Sequence, residues 1–289
     1  MGGGSVLSET PGMGGLLFKA ALKKGRKLAV GDEVPRLEAG LRGVRFLPEQ
    51  LSRYGKIVGA PESEFMPLVA PHILAAPLHL YLLTQPESPL QAMGLIHVRN
   101  SVNVVQPVPK GEALDVHVVI GDTTWVHKGL EVDVRTEVHA AGELVWEESS
   151  VVYSRQSVAA DIPRKEKSDE MTDWGDEGEQ WSLGGNLGRK YASVSGDWNP
   201  IHLYGWTAKL FGFSRPIIHG MWSFARCMSL FPVSSGELSV EFKRPVTLPG
   251  RPRLVRKLSD EGETRFALIR DKDGKPFLAG VYTPSKEVG

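Results

Sequence analysis

The feature that most restricts this chain is an order of elements that occurs twice. An apolar helical segment, HILAAPLHLYLL, precedes four strand-like runs: GLIHVRNSVNVVQPV, EALDVHVVIGDTTWV, GLEVDVRTEVHAA and ELVWEESSVVYSR. The later part of the chain repeats the order with MWSFARCMSLF, then ELSVEFKRPVTL, RPRLVRKLSD, TRFALIRD and KPFLAGVYT. Valine, threonine and aromatic residues dominate the runs and turn residues divide them, which predicts antiparallel strands. Individual residues also fall into register: Pro107 with Pro245, 138 positions apart, and Tyr54 with Tyr191 and Gly59 with Gly196, each 137 apart. Preserved order together with preserved register argues for duplication.

Each half is then one helix and a largely antiparallel sheet. Such a sheet alone leaves a face bare and its edges open, so the helix covers the face and the halves are expected to pair edge to edge. The expected fold is α+β, a double hotdog of two fused halves, each a long helix wrapped by an antiparallel sheet. The reading places an N-terminal tail with a short basic helix at 1–35, one hotdog at 36–154, a polar linker at 155–180 and a second hotdog at 181–289.

Composition excludes several classes of function. Lysine plus arginine equals aspartate plus glutamate, 34 against 34, so no net field points to nucleic acid or acidic lipid. The single cysteine, Cys227, offers no internal disulfide framework and fits a reducing cytoplasm. The most apolar stretch, Ile73 to Leu83, contains Pro77 and His79 and falls short of the ~20 residues of a membrane-spanning helix. Lys19, Lys23, Lys24, Arg26 and Lys27 interrupt any signal-peptide core near the N-terminus. That basic stretch has two readings, a helix touching a membrane or an acidic carrier protein and a short solvated helix. His72, His79, His97, His117, His127 and His139 show no metal-ligand spacing, and Cys227 reads as packing. Neither a G-x-S-x-G elbow nor a phosphate-binding glycine loop is present.

The chemistry concentrates in Tyr191 to Ala208, YASVSGDWNPIHLYGWTA. Asn199 followed by Pro200 has the form of an N-cap and first helical position, which puts His202 in a first helical turn. Gly205 weakens that helix, so two short helices are an alternative to one. Gly196 allows the backbone turn that aims Asp197 back at His202. The partial positive charge of a helix start disfavours imidazolium, leaving a neutral His202 able to take a proton from water. Asp197 can hold the same water, and such a pair suits addition of water to an activated double bond. In SRPIIHGMWSFARC, Gly220 stands where the second helix begins, so its N–H can serve an oxyanion.

The pattern Y-x-x-V-S-G-D-x-N-P-I-H-x5-A followed by P-I-I-H-G-M resembles the MaoC-like, R-specific enoyl-CoA hydratases and (3R)-3-hydroxyacyl-thioester dehydratases. The resemblance is close over the C-terminal half and loose over the N-terminal half. It implies that Asp197 and His202 are catalytic, that Gly220 supplies the oxyanion N–H, and that Tyr191, Ser195, Gly196, Asn199 and Ala208 support the loop. His219 has two readings, lining the pocket or holding the turn before Gly220. Lys209 and Arg215 are either contacts to carrier phosphates or ordinary surface charge. The resemblance further implies a one-active-half layout, most like the long-chain fatty acid elongation dehydratases of mycolic-acid-producing bacteria. In the first half Ala60 stands opposite Asp197 and LVAPH replaces IIHGM, so that half is expected to be inactive, with Met66 to Leu83 free to accommodate an acyl chain.

The expected activity is reversible hydration of trans-2-enoyl thioesters on CoA or acyl carrier protein, within fatty acid metabolism. It needs no metal or redox cofactor, and a pseudo-dimeric monomer, with homodimer formation left open, would carry it out in the cytoplasm. Two alternatives stand beside it: a hotdog acyl-thioesterase, and a non-catalytic acyl-carrier-binding subunit.

Overall fold

Each of the eight valine-rich runs is a strand in the computed structural model, which describes residues 5–164, 174, 177–232 and 234–285. In chain order the elements are β1 (Ser5–Leu7), α1 (Met13–Leu22), β2 (Leu37–Val44), α2 (Pro48–Val58), α3 (Pro71–Leu83), β3 (Ile96–Val104), β4 (Leu114–Val126), β5 (Gly129–Ala140), β6 (Glu143–Arg155), β7 (Glu177–Gln180), α4 (Leu187–Ser195), α5 (Gly205–Leu210), α6 (Gly220–Met228), β8 (Gly236–Phe242), β9 (Pro252–Leu258), β10 (Thr264–Arg270) and β11 (Pro276–Pro284). The class is α+β, and no helix among the described residues is long and apolar enough to cross a membrane.

The chain forms two compact units, each discontinuous in sequence. Unit 1 takes residues 1–45, 72–100 and 112–170; unit 2 takes 46–71, 101–111 and 171–289. In unit 1, β1 runs parallel to β2, and β2, β4, β5 and β6 follow as antiparallel neighbours. Period-two alternation turns Val132, Val134, Thr136 and Val138 of β5 inward. Opposite them on β6, Glu148 pairs in register with Thr136, and Ser150 with Val134. Helix α3 supplies the buried Ile73, Ala75, Leu78 and Leu82 to this core.

In unit 2 the order is β8, β11, β10, β9, β7, antiparallel throughout. Helix α6 buries Met221, Trp222, Phe224 and Cys227, and β10 contributes Phe266 and Leu268 to the core. Helix α2 belongs to this unit although it precedes the first hotdog strands in sequence. Its Gln50 Nε2 donates to Val194 O of α4 at 2.8 Å, and its Ile57 O accepts Trp222 Nε1 of α6 at 3.0 Å.

The register between the halves has a structural counterpart. Gly59 and Gly196 end α2 and α4 in the same left-handed conformation, φ 68° and φ 77°. Glycine is the residue that adopts it without steric cost. Tyr54 and Tyr191, five residues earlier in each case, are both buried, with ring centroids 6.2 Å apart.

Two expectations change. Helix α1 stops at Leu22, so Lys23, Lys24, Arg26 and Lys27 follow it rather than lying along it. Lys23 Nζ donates to Leu83 O and Gln85 O, both at 2.7 Å, where α3 runs out of intrahelical donors for its last carbonyls. Glu177 to Gln180, read as the end of the linker, instead pairs with β9. Part of that linker, 165–173 and 175–176, lies outside the described residues, as does 1–4 of the tail.

Candidate active site

The site is assembled within unit 2 by a run of short turns. Helix α4 ends at Gly196, whose N–H reaches Ala192 O at 2.9 Å. The reversed chain is then pinned by side chains. Ser195 Oγ donates to Tyr191 O at 3.0 Å and accepts from Asp197 N at 3.3 Å. Asp197 Oδ1 accepts Asn199 N at 3.1 Å, and Asn199 Oδ1 caps the next turn by accepting Ile201 N at 3.3 Å. Pro200 to His202 is a single 3₁₀ turn and α5 starts separately at Gly205, so the two-helix alternative is the one realised.

His202 is buried, and its Nδ1 lies 2.8 Å from Ile217 O. A carbonyl can only accept, so Nδ1 carries the proton and Nε2 presents a lone pair. Burial lowers the His202 pKa below its ordinary value, with the Asp197 charge opposing the shift. The neutral imidazole therefore owes its state chiefly to desolvation rather than to a helix dipole, since a three-residue turn aligns few peptide dipoles.

His219 stacks on His202, with ring centroids 3.6 Å apart and planes inclined by 26°. Its Nε2–H donates to Asp197 O at 2.9 Å, and the same nitrogen is 3.7 Å from Asp197 Oδ2. Burial and the neighbouring His202 push its pKa down to about 3. Its Nδ1 is a buried acceptor without a hydrogen-bond partner. Tyr191, 4.9 Å away by ring centroid, covers the far side of His219.

One donor atom from each of Asp197, His202 and His219 lies within 4.8 Å of the others. The Asp197 side chain is 44% exposed while both histidines are buried, so water reaches this group from the carboxylate side. These three residues could surround a cation, but the hydrogen bonds to Ile217 O and Asp197 O already commit one nitrogen of each ring.

Gly220 is the first residue of α6, where backbone N–H groups lack intrahelical partners. A Cβ there would stand 3.1 Å from Phe242 Cε1, so a side chain would have to displace that ring. Ala208 is fully buried in α5. Lys209 is exposed on α5, whereas Arg215 is tied to Thr247 Oγ1 at 3.0 Å and Pro249 O at 3.3 Å.

Three supports escaped the sequence reading. Gly188 lets the chain at His202 approach α4, because a Cβ there would lie 2.1 Å from His202 O. Arg189 Nη1 donates to Leu203 O at 2.7 Å, and its guanidinium lies 4.6 Å over the Tyr204 ring. Ile217 contributes only its carbonyl, for which no side-chain signal exists. Gly188, in the first turn of α4, carried no signal in the sequence reading.

Residues 186–264, which contain all of these site residues, match the MaoC like domain family. This part of the chain is similar to a MaoC-like domain. The 3-hydroxyacyl-thioester dehydratase X of Mycobacterium tuberculosis is 28% identical to the chain over 235 residues, 80% of this chain and 84% of that protein. A crystal structure of HtdX from the same organism superposes with a TM-score of 0.74 at 27% identity, covering 85% of this chain and 99% of that one. A MaoC-like dehydratase from Phytophthora capsici, 16% identical, shares the fold at a TM-score of 0.69 over 88% of this chain and 96% of its own.

Unit 1 holds a second cluster of similar make-up. His72 Nδ1 lies 2.8 and 2.9 Å from the two oxygens of Glu148, and Asn100 Nδ2 donates to Glu148 Oε1 at 2.6 Å. His79 Nε2 meets Thr136 Oγ1 at 2.8 Å. The apolar stretch Met66 to Leu83 thus carries a polar face as well. The H-x6-H spacing places both imidazoles on one side of α3, two turns apart. Glu148 comes from a distant strand, which is why sequence spacing alone did not disclose the cluster.

Proposed function

We propose that this chain hydrates trans-2-enoyl thioesters to (3R)-3-hydroxyacyl thioesters, and catalyses the reverse dehydration, with Asp197 and His202 as the acid/base pair. The observation that carries the proposal is the tautomer of His202. Nδ1–H is committed to Ile217 O, and Nε2 is left as a base beside a half-exposed carboxylate. The dehydratase named as a relative supports the same reaction class.

In the hydration direction, Asp197 and His202 Nε2 hold one water. Nε2 takes a proton as the water oxygen bonds to C3, and the C2–C3 π pair moves toward the thioester carbonyl. The Gly220 N–H receives the developing enolate oxygen, an interaction worth about 3–4 kcal/mol in comparable sites. The pair then returns the proton to C2, so one water is added and the site is restored. The acyl group would arrive on CoA or acyl carrier protein.

The test is loss of the conjugated enoyl absorbance with trans-2-enoyl-CoA substrates from short to long, followed by chiral analysis of the product. Wild type is expected to form the (3R) product, and His202→Ala to lose ~10²–10⁴-fold in kcat/KM while remaining folded. Release of free thiol in place of hydration would give the site to a thioesterase. Folded protein inert toward every enoyl thioester would overturn the proposal.

A further inference from the structure

The proposed site leaves unused the stretch formed by α1 and the chain just after it. Between Thr10 and Gly31 stand Lys19, Lys23, Lys24, Arg26 and Lys27, without one acidic residue. Every other residue from Gly12 to Val30 is glycine, alanine or a larger apolar type, so no hydroxyl, amide or carboxylate side chain occurs there. The even charge of the whole chain conceals this local excess.

The stretch is fixed to unit 1. Helix α1 buries Leu16 and Ala20, one turn apart, and Leu28 is buried beyond its end. Lys23 Nζ closes the end of α3, Arg26 N donates to Pro89 O at 2.8 Å, and a Cβ at Gly25 would press on Gln91 at 3.1 Å. Phe18 and Leu22 follow the two buried residues by two positions, which turns them to the opposite side of the helix. Each is 67% exposed. A helix packed by one face ordinarily shows a polar face to water. Here that face shows a ring and a leucine beside the exposed Lys19, with Lys24, Arg26 and Lys27 exposed just after the helix. None of these four cations makes a side-chain hydrogen bond or ion pair with the described residues. The Glu87 charge acts on Lys23, which is already tied to α3.

What covers such a face must offer apolar depth and diffuse negative charge, and ask for no directional bonds. A protein partner asks for about one hydrogen bond per 100–200 Å² of interface, and such interfaces are depleted in lysine. A second copy of the chain would set cations against cations. An anionic bilayer asks only for apolar side chains below its headgroups and cations among them. Helix α1 has 10 residues, far short of the ~20 needed to cross, so it would lie along the surface. We infer that α1 docks the protein on an anionic lipid surface, with Phe18 and Leu22 inserted and Lys19, Lys24, Arg26 and Lys27 at the headgroups. This inference stands apart from the hydration reading.

The full chain would be sedimented with vesicles of phosphatidylcholine alone or mixed with phosphatidylglycerol, at low and at raised salt. Wild type is expected to bind the mixed vesicles, to leave the neutral ones, and to bind less as salt screens the cations. Joint replacement Lys24→Gln, Arg26→Gln and Lys27→Gln should weaken binding ~10²-fold, about five-fold for each cation removed. Lys23 stays in place because it holds the end of α3. Phe18→Ser should weaken binding roughly ten-fold at every salt concentration, since its share is apolar. Both changes fall on exposed side chains outside the proposed site, so hydration measured without vesicles should be unaltered. Wild type that ignores the mixed vesicles at low salt overturns the inference, as does binding that neither variant weakens. A wild-type dimer in light scattering that Phe18→Ser dissolves would give the face to a second copy and overturn it too.

Discussion

Each unit draws two histidines and one carboxylate to within 4.8 Å, and the two clusters differ in who reaches the carboxylate. Glu148 in unit 1 has a side chain with 0% exposure, held by His72 and Asn100. Asp197 in unit 2 is 44% exposed, and its Oδ1 is bonded to a backbone N–H. A buried carboxylate whose oxygens are taken by an imidazole and an amide has no room for water and acts as a fastener between α3 and β6. A carboxylate open on one side can hold a water against a base. The difference extends to the helix that follows: α6 starts with Gly220, α3 with Pro71, which has no N–H to offer an oxyanion. Similar residues thus serve cohesion in one unit and, on our proposal, chemistry in the other, and solvent access is what divides them.

The sharpest way to break this comparison is to make the same change, carboxylate to amide, in both clusters. Asp197→Asn is expected to cost ~10²–10⁴-fold in kcat/KM with little effect on thermal unfolding. Glu148→Gln should leave kcat/KM unaltered and lower stability by about 3–5 kcal/mol, because it strips one partner from a buried pair. Denaturation midpoints read beside steady-state rates check both, and a swapped pattern would mean the roles are assigned the wrong way round. Next in size is Gly220→Pro, which copies Pro71. Proline is tolerated at a first helical position, so the helix should form once the Phe242 ring gives way by a few tenths of an ångström, and loss of the N–H should lower kcat ~10²–10³-fold. Unaltered kcat in a folded variant would remove Gly220 from the oxyanion role.

Acid should weaken both units, since burial also holds His219 of unit 2 down to about 3. In unit 1 burial holds His79 down to about 3 and His97 to about 4, while Glu148, pulled down by His72, titrates at about 2. The unfolded chain takes up these protons near the ordinary values, so protons favour unfolding and stability should fall steadily as pH drops below about 6.5. Unfolding midpoints across that range, repeated for His79→Phe, check it; an equally acid-sensitive variant would clear His79 of any part. In unit 2 the lowered His202 pKa shifts the acid limb of kcat/KM to below about 6.5, the smallest of the expected effects. A limb above that value would give the proton transfer to another group.

What was legible in the sequence is what is contiguous. The eight strands, α3 and α6 followed from alternation and apolar runs, and the turn from Tyr191 to Ala208 followed from local rules about caps and glycine. Ile217 was silent because its role belongs to a main-chain atom. The His72, His79 and Glu148 cluster was silent because strand pairing, not spacing, brings Glu148 to α3. The dipole argument for His202 pointed the right way for a reason the structure replaces with burial.

Helix α2 carries a consequence for how this chain can be taken apart. It lies early in the sequence yet belongs to unit 2, where Gln50, Ile57 and Tyr54 meet α4 and α6. A gene cut between 155 and 180 would therefore not release a working C-terminal piece, because that piece would lack residues 46–71 and 101–111 of its own unit. A unit built from separated stretches of sequence in this way cannot be excised with a single cut. A chain reduced to 181–289 would keep the turn from Tyr191 to Ala208 but lose Gln50, Tyr54 and Ile57, which pack against α4 and α6.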